Sequence, residues 1–153
     1  MEIGIEIRER KQIADALRQF LADTYTLYLR THNFHWNVSG PKFRTLHLMF
    51  EEQYQELAEA TDTIAERIRT LGFPAPATYS EFIALTTLKE VVGVPAAERM
   101  IAQLCEDHEA LTRKARGMLN LVNEYRDLPS SDLLSHRMQS HEKSAWMLRM
   151  LLS

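Results

Sequence analysis

The chain has 153 residues, 45% of them hydrophobic and 25% charged, with a net charge of −3. That balance fits one globular domain over residues 1–153 and excludes collagen-like, low-complexity and natively disordered chains. The net negative charge argues against a surface that attracts nucleic acid all over, and no apolar run reaches the roughly 18 to 20 residues that cross a bilayer.

Five glycines and five prolines occur, and most fall at four places: Gly40-Pro41, Gly72 with Pro74 and Pro76, Gly93 with Pro95, and Pro129. Between these breakers lie segments 8–38, 42–71, 95–126 and 129–152, each too long for a strand and each apolar at three-and-four spacing. The first helix carries the stripe Ile13, Leu17, Phe20, Leu21, Leu27 and Tyr28; the second carries Leu46, Phe50, Leu57, Ile64, Ile68 and Leu71. A long crossover follows, in which Phe82, Ile83 and Leu85 predict a short extra helix over 79–88. The third helix is marked by Met100, Ile101, Leu104, Leu111 and Val122, and the fourth by Leu134, Met138, Ala145, Leu148 and Leu152. Pro95 and Pro129 read as helix starts. Short joints make the first two helices antiparallel, and likewise the last two. The fold class is therefore all-α: a four-helix bundle with a short extra helix in the long crossover between the second and third helices. One long crossover among four helices is ferritin-like connectivity.

The chemistry concentrates on the second helix. With His47 set at 0° and about 100° per residue, Glu51 falls near 40°, Asp62 near 60° and Glu66 near 100°, so the four share a face. They cannot share one metal ion, because 47/51 and 62/66 lie roughly 22 Å apart along the axis. The midpoint of 47 and 66 is 56.5, and so is that of 51 and 62. An identical helix packed antiparallel about a two-fold axis near Leu57 brings His47 and Glu51 of one chain level with Glu66 and Asp62 of the other, making two equivalent sites. Ala58 and Ala65 would permit the close approach. By the same arithmetic about Pro41, His35 falls level with His47 within one chain. A solvated helix face is the plain alternative for either pair alone. Two imidazoles and three carboxylates suit Fe(II), Mn(II) or Zn(II). The Glu-x-x-His motif of ordinary di-iron bundles is absent from the sequence.

The stretch His32-Asn33-Phe34-His35-Trp36-Asn37-Val38-Ser39-Gly40-Pro41-Lys42-Phe43-Arg44-Thr45-Leu46-His47, with Asp62-Thr63-Ile64-Ala65-Glu66-Arg67, resembles the signature of the Dps family, the DNA-binding proteins from starved cells or mini-ferritins. The likeness extends to the ending His141-Glu142-Lys143-Ser144-Ala145-Trp146-Met147-Leu148. It implies an inter-subunit ferroxidase centre formed by His35, His47, Glu51, Asp62 and Glu66, with Glu51 standing where Asp is commoner. It also implies a hollow dodecamer with tetrahedral symmetry that oxidises Fe(II), preferentially with hydrogen peroxide, and stores ferric oxide. The competing functions are a nucleoid-packing DNA-binding protein with incidental metal, and a zinc or manganese bundle without turnover.

Other residues carry bounded expectations. Trp36 is expected as a core aromatic, with interception of radicals near the iron as its functional alternative. His32 is expected beside the ligands rather than among them, and His108, His136 and His141 as structural. Cys105, the single cysteine, precludes an intrachain disulfide, fits a reducing compartment, and is expected as buried filler. Glu124, Asp127 and Asp132 flank the last turn, where the family has acidic pores at a three-fold axis; a solvated loop is the alternative. The start Met1-Glu2-Ile3-Gly4-Ile5-Glu6 lacks a signal-peptide pattern, so a cytoplasmic location is expected. Neither end carries a Lys- or Arg-rich tail of the kind that drives counterion release, so weak or absent DNA binding is expected.

Overall fold

A computed structural model describes residues 2–153. Five helices run in order: α1 (Ile7–Asn37), α2 (Phe43–Thr70), α3 (Tyr79–Leu85), α4 (Ala97–Glu124) and α5 (Leu128–Met150), with no strand among the described residues. α1 packs along α2 and α4 along α5 as two antiparallel hairpins; α1 also meets α4, and α2 meets α5. α3 lies in the crossover against α1. Among the described residues no helix is long and apolar enough to cross a membrane.

The apolar stripes meet along the bundle axis, where Leu17, Phe20, Leu27, Phe50, Leu57, Ile64, Leu104, Leu134 and Leu148 are sealed from solvent. Burying a side chain of this size contributes about 1.5–3 kcal/mol, so the core sets the helix faces and leaves the polar faces free for other work. Leu152 departs from the expected stripe: it lies beyond the end of α5 and is exposed.

The breakers act as backbone devices. Gly72 ends α2 at φ +98°, and a Cβ there would sit 3.0 Å from Arg10 Nη1. That guanidinium donates to the Leu71 carbonyl at 2.9 Å, joining the start of α1 to the end of α2. Pro95 is not in a first turn as expected, because Ala96 is the extended residue before α4 and Pro95 precedes it. α3 stops at Leu85, three residues short of expectation, because a buried carboxylate takes over. Asp23 accepts from the Thr86 hydroxyl at 2.8 Å and the Thr87 hydroxyl at 2.9 Å, and is further paired with Lys114. Arg30, paired with Asp107, donates to the Lys89 carbonyl. Two buried charges of α1 thus strap the crossover in place.

Candidate metal centre

His35 lies in the last turn of α1 and His47 near the start of α2. Gly40, at φ +107°, turns the chain between them. Each imidazole Nδ1 meets the main-chain carbonyl oxygen of the other residue at 2.8 Å. A carbonyl only accepts, so both Nδ1 atoms carry a proton, and in the neutral rings both Nε2 atoms keep an open lone pair. The rings stack with centroids 3.8 Å apart. This reciprocal clasp fixes tautomer and orientation together, the role that outer hydrogen bonds play for ligating histidines. His35 is buried and His47 half-buried.

Further aromatic groups pack around the clasp, Phe43 among them, with its ring centroid 5.2 Å from that of His47. Tyr54 meets His35 edge-on with ring centroids 5.1 Å apart and stacks on His32 at 4.1 Å. Trp36 covers the His32 ring at 3.9 Å. Desolvation and the adjacent His35 push the His32 imidazole below its ordinary pKa. Tyr54 escaped the sequence reading although its spacing carried the signal: seven residues after His47, it returns to within about 20° of the same helix face. Trp36 departs from expectation. It is 62% exposed, while its neighbours Phe34 and Val38 fill the core.

Glu51, one turn beyond His47, is half-buried, and Asp62 and Glu66 are exposed farther along α2. Among the described residues of one chain, no three metal-ligating side chains converge. The chain therefore assembles the imidazole half of the candidate site and leaves two carboxylates about 22 Å away along the same helix.

Residues 14–153 match the ferritin-like domain family. The DNA protection during starvation protein 2 of Bacillus anthracis is 37% identical over 94% of this chain and 98% of its own length. A low temperature-induced protein of Nostoc sp. is 43% identical over 97% of this chain and 84% of its own. The crystal structure of Dps from Vibrio cholerae, described as a ferritin-like diiron-carboxylate protein, superposes with a TM-score of 0.96 at 31% identity, covering 100% of this chain and 96% of that one. The chain belongs to the Dps family.

The ferritin-like bundle and single long crossover agree with the sequence reading, but the residues at its last turn require a correction. Asp127 is fully buried and is neither a pore-lining group nor part of a solvated loop. It is the N-cap of α5, accepting from the Ser130 amide at 3.2 Å and from Arg67 Nη2 at 2.6 Å. The physical cause is the unpaired amide groups of α5's first turn, which need an acceptor. Glu124 and Asp132 are exposed. Asp132 lines a cleft of about 480 Å³ between α2 and α5, together with Glu56, Glu59, Glu66 and His136. Cys105 is buried as expected, with burial raising its thiol pKa.

Proposed function

We propose that this Dps-family protein is an iron-storing and iron-detoxifying ferroxidase whose centres form between two chains. The observation that carries the reading is the His35–His47 clasp: two Nε2 lone pairs are presented by rings that cannot reorient without breaking a hydrogen bond. His35 and His47 bind Fe(II) as neutral imidazoles. Asp62 and Glu66 of the neighbouring chain supply hard carboxylate ligands, and Glu51 holds a second iron more weakly. Two Fe(II) each give one electron to hydrogen peroxide, whose O–O bond breaks, and the ferric ions hydrolyse to an oxide with release of protons. Removing Fe(II) and peroxide together limits hydroxyl radical formation and so protects DNA in the cytoplasm.

The site demands a second copy, and the family likeness supports a hollow dodecamer of tetrahedral symmetry. Sedimentation at micromolar concentration is expected to show that assembly; a stable monomer or simple dimer overturns the shell. Stopped-flow Fe(II) oxidation by peroxide tests the chemistry. His47→Ala combined with Asp62→Ala is expected to abolish the fast phase, and an unchanged rate refutes the assignment. Metal analysis showing zinc or manganese with no iron turnover supports the non-redox reading instead.

A further inference from the structure

Away from the clasp, the interior of the α4–α5 hairpin holds a second pair of histidines. His108 of α4 and His141 of α5 are both buried, and their Nδ1 atoms lie 2.9 Å apart. His141 Nε2 lies 3.4 Å from Arg137 Nη2. Arg137 is itself paired in two-pronged fashion with Glu56 of α2, and the Phe20 ring of α1 meets His141 edge-on. His108 Nε2 has no partner.

A guanidinium only donates, so His141 Nε2 is an acceptor and its proton resides on Nδ1. That Nδ1–H then donates to His108 Nδ1, which must be bare. His108 consequently carries its single proton on Nε2, the atom left unpaired. One arrangement satisfies Arg137 Nη2, His141 and the contact between the rings, and both imidazoles are neutral in it; Arg137 Nε, like His108 Nε2, has no partner.

We propose that His108 and His141 form an acid-sensitive lock on the α4–α5 half of the bundle, held by Arg137 and Glu56 and dismantled when either imidazole takes a second proton. A proton on His141 Nε2 faces the guanidinium. A proton on His108 Nδ1 faces the His141 N–H. Either event removes a hydrogen bond and leaves a buried cation. Of the surrounding charges, Glu56 works against the burial of His108, less strongly than the burial itself. Glu56 of α2, held low by Arg137 against its own desolvation, already serves that guanidinium. On α1, Asp23 and Arg30 are engaged by Lys114 and by Asp107 of α4. Burial lowers the His108 pKa to about 3 and that of His141 well below its ordinary value.

Both groups bind protons more weakly folded than unfolded, so the unfolded chain takes up protons as pH falls below about 6.5. Folding stability contributed by the pair is complete above that pH and is lost progressively toward the folded values. Two sites raise the unfolding equilibrium constant by up to about a hundredfold per pH unit below that point.

The test is denaturant unfolding of the assembled protein between about pH 4 and 7.5, comparing wild type with His108→Gln combined with His141→Gln. The wild type is expected to show the steeper loss toward acid, by up to two protons per chain; parallel profiles overturn the lock. Solid-state NMR of histidine-labelled wild-type protein at neutral pH tests it without a variant. Nδ1–H on His141 and Nε2–H on His108 are expected, and an imidazolium or the reverse tautomers overturn it.

Discussion

Removal of the Asp127 side chain should separate a structural carboxylate from a pore carboxylate. Asp127→Ala deletes the acceptor of the Ser130 amide and leaves Arg67 facing Ser130 Oγ without its counter-charge. Loss of an N-cap costs about 1 kcal/mol. Breaking a fully buried ion pair costs about 3–5 kcal/mol, but Arg67 is 14% exposed, so water recovers part of that. A total of roughly 2–4 kcal/mol per chain is expected, which lowers the melting temperature by about 5–15 °C in a chain of this size. Asp127→Asn keeps a capping oxygen and loses only the charge, so it should fall between wild type and Asp127→Ala. Glu124→Ala and Asp132→Ala, at exposed positions, should stay within about 0.5 kcal/mol of wild type. Calorimetry of the four variants in one buffer measures the series. An Asp127→Ala melting temperature equal to that of Glu124→Ala would refute the capping argument.

Gly72→Ala places a Cβ 3.0 Å from Arg10 Nη1 at a φ of +98°, and should destabilise by about 1–3 kcal/mol; a denaturation midpoint equal to wild type counts against it. Cys105, buried with its pKa raised, should react with a thiol reagent only after denaturant is added, so rapid labelling of the native protein contradicts that placement. A shell in which every chain carries −3 should not retard plasmid at moderate salt without free divalent metal. Tight, salt-sensitive retardation would reveal a basic patch and favour the DNA-packing reading.

Much of the fold was legible because the same few residue types did one job each. Glycine and proline broke the chain at Gly40-Pro41, Gly72 and Gly93, and leucine, isoleucine and phenylalanine at three-and-four spacing supplied the stripes. Helix ends were less legible where a distant side chain decides them. Nothing local to Leu88 says that Asp23, more than sixty residues earlier, captures Thr86 and Thr87. The His35–His47 register was readable because a short turn fixes two antiparallel helices about one point. The same reasoning applies to His108 and His141, whose midpoint of 124.5 falls beside Tyr125 in the last turn, so that pair was present in the spacing and was missed. Asp127 was misread because α4 ends at Glu124 rather than two residues later. That leaves Asp127 as the cap just before Leu128 and Pro129 instead of a loop residue.

The central claim is that imidazoles of one chain and carboxylates of another make one site. Chains bearing His47→Ala and chains bearing Asp62→Ala, each expected to be inactive alone, can be unfolded together and reassembled in equal amounts. If the site spans a two-fold interface, half of the random pairs are mixed, and each mixed pair restores one intact site of its two. Peroxide-driven Fe(II) oxidation should therefore return to about one quarter of the wild-type rate. Recovery of no activity, with the mixed assembly confirmed by native mass spectrometry, would contradict a site shared between chains.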